Sequence, residues 1–386
     1  MGDVVVIGAG LAGLRLAGAL GRARKRFEGR QIFVVDAKAT CDYLPLLPDV
    51  AGGRLNERHV VAPLAPYLAR LGVNFSQGKV VRVDTDAKEV VFADGRTLGY
   101  GLLVIACGTQ TDFYGLTEIE AVALKCDTAL EAAAIRDVVR QHPGKKFVVA
   151  GGGYTGVEIA SHLAFALRRR GTRKSGVFLV ERAEEIVFAL PPDIQDYCRV
   201  NLSRLRVTIH TECTVTQAAG GRVRLSNGIT VEDAVLIWTA GVRPPDFVAA
   251  LPYKKDGRGR LVVDRQMRCA DDCLAVGDAA SLEHKGRPLR MAVQFALAEA
   301  DAAASHIVRA CAGRGRSRKI RLFDWGYFVP MANGRACGRF LGVRLPARLG
   351  SFLHYFTCFL RAVSWRMRLG MLKDLMTDNV LLRRWH

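Results

Sequence analysis

Two glycine-rich stretches are the parts of this sequence whose residue types and spacing could do chemistry. Each has the form G-x-G-x-x-G and directly follows a short apolar run. The glycines are Gly8, Gly10 and Gly13 in the first stretch, and Gly151, Gly153 and Gly156 in the second. In such a loop the first glycine permits a tight strand-to-helix turn, the second lets backbone approach a pyrophosphate, and the third lets helix pack on strand. The pattern therefore predicts two dinucleotide sites, each placing a diphosphate at a helix N-terminus.

A carboxylate at the end of a second predicted strand supports each site. Asp36 ends a strand-like run 23 residues after Gly13, and Glu181 ends another 25 residues after Gly156. Both spacings are close to the roughly 20 residues expected of an acid that binds the adenosine ribose. An acid at 181 favours NADH over NADPH because it repels a 2′-phosphate, whereas neighbouring Arg182 works against that preference.

The elements that would position these residues indicate an α/β protein with an internal repeat. Apolar runs at 102–109 and 234–241 each predict a buried strand ending in small residues, at Gly108 and Gly241. Such endings are expected where backbone closes on a bound nucleotide. The block 118–244 therefore repeats the plan of the first domain.

Three further segments complete the predicted site. Residues 118–141 are predicted to form one helix that stops at a His-Pro-Gly sequence. A strand runs into Gly277 and Asp278, which places a carboxylate at a predicted helix start, where it either binds a sugar-like chain or only caps the helix. Gln294 opens an alanine-rich helix that runs to about Cys311.

Bulk composition restricts the class of protein. The 386 residues are 50% hydrophobic, which suits two or three domains with cores and excludes disorder for most of the chain. A strand starting at residue 4 predicts that no secretory signal peptide is present. The ten cysteines show no paired framework, which is typical of reduced thiols in a cytosolic compartment. Cys269 and Cys273 are the exception, because their C-x3-C spacing is compatible with a redox pair or with two structural thiols.

The ordered set of motifs resembles the type II NADH dehydrogenases, single-chain NADH:quinone oxidoreductases among the two-dinucleotide-binding-domain flavoprotein reductases. The resemblance covers nearly the whole chain. It is carried by the two glycine stretches, Tyr43-Leu44-Pro45-Leu46-Leu47, Thr111-Asp112-Phe113-Tyr114-Gly115, Trp238-Thr239-Ala240-Gly241 and Ala275-Val276-Gly277-Asp278. It implies two Rossmann-like domains: an FAD domain at 1–117 and 245–320, with an NADH domain at 118–244 inserted into it.

The resemblance also implies roles for individual residues. The residues implied to hold FAD are Gly8, Gly10, Gly13, Asp36, Val80, Gly108 and Asp278. Those implied to hold NADH are Gly151, Gly153, Gly156, Glu181 and Gly241. Glu158 is implied to lie near the nicotinamide and flavin, although an acid near a helix N-terminus is also stabilising by itself. Gln294 matches the first glutamine of the family's quinone pattern, but Ala298 stands where a second is expected, which leaves the acceptor open. No metal is implied.

The C-terminal region, 321–386, is predicted to be an amphipathic helical region that lies on a membrane. No stretch reaches the roughly 18–20 apolar residues that span a bilayer. One stripe of apolar side chains has helical spacing, with Arg361 and Arg368 opposite it: Phe352, Phe356, Phe359, Val363 and Met367. Net charge is +19, and the resemblance favours an anionic membrane surface on the cytoplasmic face. Docking of the helix on its own domain, or on a second copy in a homodimer, is the alternative.

Two other functions remain open from sequence. A sister enzyme such as sulfide:quinone oxidoreductase would need paired reactive cysteines, for which Cys126, Cys337 and Cys358 are available. A nucleotide-sensing protein that binds nucleic acid would use the basic surface, including the block Arg314, Arg316, Arg318, Lys319 and Arg321. No interleaved aromatic and basic motif accompanies that charge, so no nucleic acid is expected as a partner.

Overall fold

The computed structural model describes residues 2–27, 29–171, 176–313 and 320–377. Its α-helices are α1 (Leu11–Arg22), α2 (Leu47–Ala51), α3 (Leu64–Arg70), α4 (Thr117–Glu120), α5 (Ala129–Gln141), α6 (Tyr154–Arg169), α7 (Pro192–Arg204), α8 (Asp246–Ala249), α9 (Val293–Cys311), α10 (Ala347–Arg361) and α11 (Trp365–Thr377). Of the predicted basic block, Arg314, Arg316, Arg318 and Lys319 lie outside these ranges. The end of the tail, 378–386, also lies outside them.

The strands are β1 (Val4–Ile7), β2 (Ile32–Asp36), β3 (Thr40–Asp42), β4 (Val61–Pro63), β5 (Asn74–Gln77), β6 (Val80–Asp84), β7 (Glu89–Phe92), β8 (Thr97–Gly99), β9 (Leu102–Ile105), β10 (Gln110–Thr111), β11 (Lys146–Ala150), β12 (Val177–Val180), β13 (Thr208–His210), β14 (Val215–Ala219), β15 (Arg222–Leu225), β16 (Thr230–Val231), β17 (Ala234–Trp238), β18 (Val242–Arg243), β19 (Leu261–Val263), β20 (Cys273–Ala275), β21 (Ala280–His284), β22 (Arg287–Pro288), β23 (Gly326–Met331), β24 (Arg335–Phe340) and β25 (Val343–Arg344). The predicted α/β class is confirmed.

The chain forms two compact units, each built from several segments. Unit 1 comprises 1–41, 62–110 and 243–324, and unit 2 comprises 42–61, 111–242 and 325–386. Thus 42–61 and residues 325–377 of the C-terminal region fold with the unit that carries the second glycine stretch. The assignment of FAD to one domain and NADH to the other stays a prediction.

Unit 1 is organised around a parallel five-stranded sheet in the order β20-β9-β1-β2-β5. Every residue of β1 and β9 is buried, as expected of central strands covered on both faces. Helices α1 and α9 pack against each other. An antiparallel sheet, β6-β7-β8, and a mixed sheet, β19-β21-β22, complete the unit.

Unit 2 repeats this plan with the parallel order β13-β12-β11-β17. Its central strand β11 pairs with β12 on one side and β17 on the other, and an antiparallel sheet β14-β15-β16 follows. The antiparallel sheet β23-β24-β25 packs on α10. The first glycine stretch follows the central strand β1 and the second follows the central strand β11.

The helix predicted over 118–141 is wrong in extent, since only α4 and α5 are helical. Thr128 caps α5 by accepting the backbone N–H of Glu131, whose carboxylate accepts the N–H of Asp127. That reciprocal pattern starts a helix at residue 129. Upstream, Leu124 pairs with β17, because its N–H donates to Leu236 and its carbonyl accepts from Trp238. Because this segment pairs with a strand, it cannot be part of the predicted helix.

Two other local predictions also differ from the structure. Asp278 does not start a helix, because it lies in a 3₁₀ turn that leads directly into β21. The apolar stripe from Phe352 to Met367 is not one helix, since α10 ends at Arg361 and α11 begins at Trp365. Ser364 caps α11 by accepting the N–H of Met367. Met367 is consequently buried, although the stripe placed it on the membrane face.

Candidate dinucleotide-binding sites

In unit 1 the predicted cofactor residues follow strands that end at the same edge of the parallel sheet. The glycine loop follows β1, Asp36 ends β2, Gly108 follows β9, and Asp278 follows β20. Ligands of open α/β sheets bind outside the carboxyl ends of the strands. Val80, half-buried at the start of β6, follows the end of β5 by three residues, and β5 ends beside Asp36 at this same edge.

The first glycine loop shows a different constraint at each of its three positions. Gly8 has φ +107°, and a Cβ there would lie 2.3 Å from the carbonyl oxygen of Ala106. A Cβ on Gly13 would lie 1.9 Å from the carbonyl oxygen of Gly8. A Cβ on Gly10 would meet no protein atom within 4 Å. The fold therefore requires glycine at positions 8 and 13, whereas at position 10 only something outside the chain would require it.

Unit 2 repeats these constraints around the second glycine loop. Gly151 has φ +103°, and a Cβ there would lie 2.7 Å from the backbone of Thr239. A Cβ on Gly156 would lie 1.8 Å from the oxygen of Gly151, and one on Gly153 would again meet nothing within 4 Å. Gly10 and Gly153 are the N-caps of α1 and α6 and make no side-chain cap. Free helix N–H groups beside open space suit a pyrophosphate.

The two predicted ribose acids make matching hydrogen bonds. One oxygen of Asp36 accepts the N–H of Ala9 at 2.8 Å, and the other accepts the N–H of Lys38 at 2.9 Å. One oxygen of Glu181 accepts the N–H of Gly152 at 2.5 Å, and the other accepts the N–H of Ala183 at 2.8 Å. Each carboxylate is thus fixed against the residue that follows the first glycine of its own loop.

Gly241 lies between β18 and β17, the strand that pairs with β11 beside the second loop. A Cβ on Gly241 would lie 2.1 Å from the hydroxyl oxygen of Tyr114, which donates to the carbonyl of Ala240. The indole N–H of Trp238 donates to the carbonyl of Asp112 at 2.8 Å. Tyr114 and Trp238 therefore fix the backbone that borders the second loop.

Glu158 lies in the second turn of α6 and is half-buried. Burial raises the pKa of its carboxyl well above the usual range, and the negative charge of Asp49 raises it further. The raised pKa favours the protonated carboxyl, which can donate as well as accept a hydrogen bond. That Glu158 lies near the nicotinamide and the flavin stays a prediction.

Gln294 is the second residue of α9, and its side chain is held within unit 1. Its amide nitrogen donates to a carboxylate oxygen of Asp324 at 2.9 Å. Arg290 donates to both oxygens of the same carboxylate, and its guanidinium lies 4.9 Å from the ring centroid of Phe295. Ala298, one turn further along α9, is half-buried. The side chain of Gln294 is thus held at the start of α9 by the ion pair of Arg290 and Asp324.

A polar cluster in unit 2 escaped prediction because its members are distant in sequence. Asp49, Arg54, His162 and Tyr355 are all buried, and we call them the Asp49 cluster. The Oδ1 atom of Asp49 lies 2.8 Å from the hydroxyl of Tyr355, 3.2 Å from Nε2 of His162 and 3.4 Å from a guanidinium nitrogen of Arg54. The cluster joins α2, α6 and α10.

Glu299 is a second residue that sequence reasoning did not single out. It is buried on α9, and its carboxylate accepts the N–H of Gly277 at 2.7 Å, where Gly277 has φ +70°. The pKa of Glu299 is raised to about 8, because burial and the charge of Asp278, which raise it, outweigh the N–H of Gly277, which lowers it. The residue holds the turn that carries Asp278. The only feature of the sequence that could have indicated Glu299 was its position, one residue after Ala298.

Replacing Glu299 with Gln should remove a pH-dependent penalty on stability. A carboxyl whose folded pKa is raised binds its proton more tightly in the folded state, so stability falls as pH rises from the unfolded pKa, about 4.3, to the folded value. We expect the unfolding temperature of the wild type to fall, relative to E299Q, between about pH 5 and pH 8. The exposed Glu283→Gln variant should follow the wild type. A constant difference between wild type and E299Q across this range would contradict the assignment.

The two sites define the class of protein: an α/β chain with two Rossmann-type dinucleotide sites. Residues 2–304 match the pyridine nucleotide-disulphide oxidoreductases, and the chain belongs to that family. It is 28% identical over 385 residues to the demethylphylloquinone reductase NdbB of Synechocystis sp., covering 95% of this chain and 93% of that protein. It is 24% identical to a type II NADH:quinone oxidoreductase of Haemophilus influenzae, covering 88% and 87%. The fold is that of NDH2 from Plasmodium falciparum, solved in complex with NADH, with a TM-score of 0.84 at 14% identity over 98% of both chains.

Proposed function

We propose that the protein is an FAD-dependent NADH:quinone oxidoreductase in which unit 1 holds FAD and unit 2 holds NADH. The observation that carries the proposal is the pair of matched loops, each with one glycine position open to a ligand and one carboxylate fixed beside it. When bound, FAD supplies the redox chemistry, accepting a hydride from the nicotinamide and passing two electrons to the quinone.

The chain's own residues bind and orient the two nucleotides. Asp36 and Glu181 offer carboxylate oxygens to the hydroxyls of the adenosine riboses, and their hydrogen bonds to the loops keep them in position. Asp278 binds the sugar-like chain of the flavin. Glu299 holds the turn on which Asp278 lies. The charge on Glu181 favours NADH, and the neighbouring Arg182 is exposed.

Support for a quinone acceptor comes from the relatives, whose names include quinone reductases, and from Gln294 at the start of α9. The sulfide-oxidising alternative requires paired reactive thiols, and the candidates are poorly suited to that role. Burial raises the pKa of Cys126 far above the usual range and that of Cys358 to about 12. Cys337 lies beside Cys198, with the two sulfurs 3.2 Å apart, but both residues are buried, and the hydrogen bond to Cys337 and burial raise the pKa of Cys198 far above the usual range. These cysteines therefore give no support to sulfide chemistry.

The spectrum of the purified protein tests the proposal. Under anaerobic conditions NADH should bleach the yellow flavin, and a soluble quinone should restore it. Sulfide should leave the spectrum unchanged. A protein that is purified with flavin but is not bleached by NADH, or is bleached but not restored by any quinone, would refute the donor or the acceptor respectively.

Glu158→Gln is expected to slow reduction of the flavin by NADH and to change its dependence on pH. Glutamine keeps the size of the side chain but cannot release a proton, so a step that depends on the raised pKa of Glu158 loses that dependence. Stopped-flow bleaching between about pH 6 and pH 9 measures both effects. Matched rates and matched pH profiles for E158Q and wild type would leave Glu158 with a structural role only.

The C-terminal helices support peripheral association with a membrane. Within the described ranges, no helix is long and apolar enough to cross a bilayer. Exposed apolar side chains recur at helical spacing on both helices: Leu349, Phe352, Phe356 and Leu360 on α10, and Trp365, Leu369, Leu372 and Met376 on α11. Exposed cations accompany them at Arg348, Arg361, Arg366 and Lys373. Apolar faces flanked by cations are typical of interfacial helices on anionic lipid, and we place the protein on the cytoplasmic face.

A variant in which four exposed apolar residues are changed together to Gln should bind vesicles of mixed neutral and anionic lipid more than about tenfold more weakly, because each change removes an apolar side chain that would be buried in the lipid. The four residues are Phe352, Phe356, Trp365 and Leu369. Cosedimentation measures this effect, and binding of the wild type should also weaken with salt. Truncation at 343 would be a poor test, since Tyr355 and Cys358 of α10 are buried. Leu130→Gln with Phe188→Gln, two exposed residues elsewhere in unit 2, is the matched control. Equal loss in both variants, or no loss in the first, would contradict the anchor.

A further inference from the structure

Unit 1 contains two cysteines that face each other across a tight turn at the protein surface. Arg268 pairs with Leu274 in an antiparallel bridge. Directly inside this bridge, the N–H of Cys269 donates to the carbonyl of Cys273 at 3.0 Å, and the N–H of Cys273 donates to Ala270 at 3.4 Å. The two cysteines therefore lie opposite each other where the hairpin closes, joined by one of the two backbone hydrogen bonds of a hydrogen-bonded pair.

That position has the spacing of a disulfide. Opposed residues of a hydrogen-bonded antiparallel pair have Cα atoms about 5.5 Å apart. Disulfides join Cα atoms between about 4.4 and 6.8 Å apart. The thiol of Cys269 also donates to the carbonyl of Cys273 at 3.3 Å, so this side chain already points across the turn.

We propose that Cys269 and Cys273 are a reversible dithiol site that is oxidised to an intramolecular disulfide by hydroperoxides. Cys269 is the attacking thiolate and Cys273 is the resolving thiol. Cys273 begins β20, whereas the first glycine loop follows the carboxyl end of β1 in the same parallel sheet, so the site is separate from that loop and does not depend on the proposed nucleotide chemistry.

The surroundings of the two thiols fit these separate roles. Cys269 is half-buried at a turn whose Asp271 is fully exposed, whereas Cys273 is buried at the start of β20. The hydrogen bond from the Cys273 thiol lowers the pKa of Cys269, and the pKa of Cys273 is raised well above its usual value by the same bond and by burial. Only the thiolate attacks a peroxide, so Cys269 reacts first.

The chemistry balances with a hydroperoxide as the only oxidant. The Cys269 thiolate attacks the peroxide oxygen, the O–O bond breaks, and hydroxide leaves, which gives a sulfenic acid on Cys269. The Cys273 thiol then attacks that sulfur, the S–O bond breaks, and water leaves with the thiol proton. Two thiols and one hydrogen peroxide thus give one disulfide and two waters, and a dithiol reductant reverses the change.

The test is thiol mapping of the full-length protein, as purified and without NADH, after treatment with hydrogen peroxide. After quenching with a maleimide, unfolding and trypsin digestion, both cysteines fall in one peptide, 269–285, which contains no other cysteine. We expect two of the ten thiols to be lost, with this peptide unalkylated and regaining two maleimides after reduction. If both cysteines stay alkylated after peroxide, or if Cys269 proceeds to sulfinic acid without a disulfide, the proposal is wrong.

Single variants and an internal control separate the two roles. In Cys273→Ser the sulfenic acid on Cys269 should persist and be trapped by dimedone, while in Cys269→Ser the thiol of Cys273 should stay reduced. The buried pair Cys198 and Cys337 has sulfurs 3.2 Å apart. It is the control that tests whether closeness of two thiols is enough for oxidation. It should stay reduced under the same treatment. Oxidation of the control pair in place of 269 and 273, or dimedone labelling that is equal in wild type and C273S, would overturn the assignment.

Discussion

Gly153→Ala is expected to raise the KM for NADH by about tenfold or more, equivalent to about 1.4 kcal/mol of lost binding, and to leave flavin content unchanged. The added methyl group meets no protein atom within 4 Å, so the fold accommodates it. It occupies the space through which a pyrophosphate would approach the N-terminus of α6. Gly10→Ala makes the same change in unit 1 and should have the opposite effect, lowering flavin content and sparing the KM for NADH of the flavin-loaded fraction.

The paired variants test the assignment of the two nucleotides as well as their presence. Steady-state kinetics and the flavin-to-protein absorbance ratio are measured on both. Gly144→Ala in unit 2 and Gly257→Ala in unit 1 are matched controls, because a Cβ at either position also meets nothing within 4 Å and neither residue has a positive φ. Both controls should match the wild type. An exchange of phenotypes between G10A and G153A would reverse the assignment.

The third glycines should behave differently, because they are restricted by the protein itself. A Cβ on Gly13 or Gly156 would lie less than 2 Å from a carbonyl oxygen of its own loop. Both alanine variants should therefore unfold at a lower temperature even without any nucleotide. The difference between second and third glycines separates ligand-imposed from fold-imposed requirements.

The two glycine loops and their carboxylates were predictable because the residues that form each of them lie close together in sequence. The run before Gly8, the glycine spacing and the position of Asp36 lie within about 30 residues of each other, and the turn geometry demands those residue types. The parallel sheets followed from the same apolar runs. The break between α10 and α11 was missed because it depends on one cap, Ser364, inside an otherwise continuous apolar stripe.

The rest of the site could not be predicted because it depends on tertiary packing. Nothing near Asp49 in sequence indicates that its partners are His162 and Tyr355, more than one hundred residues away. Glu299 likewise looked like one acid in an alanine-rich helix until the structure placed it against Gly277. Buried polar partners that come from separate segments leave no periodicity in the sequence.

Asp49→Asn is expected to destabilise unit 2 by about 3–5 kcal/mol at neutral pH, because it leaves the buried guanidinium of Arg54 without its counter-charge. Burial alone would raise the pKa of Asp49, but the charges of His162 and Arg54 and hydrogen bonds from His162 and Tyr355 hold it well below the usual range. Urea unfolding measures the loss. Asp233→Asn is the matched control, since Asp233 faces Lys145 at 3.6 Å on the surface and such pairs contribute at most about 1 kcal/mol.

The sign of the pH dependence distinguishes this cluster from Glu299. A carboxyl whose folded pKa is depressed stabilises the protein above its unfolded pKa, about 3.9, and that contribution is lost as pH falls below it. The difference between wild type and D49N should therefore be constant above about pH 5 and shrink in acid. Tyr355→Phe removes one hydrogen bond to the same oxygen and should cost about 1 kcal/mol. A small effect of D49N together with a large effect of Y355F would show that the hydroxyl of Tyr355, and not the buried charge of Asp49, accounts for the stability of this cluster.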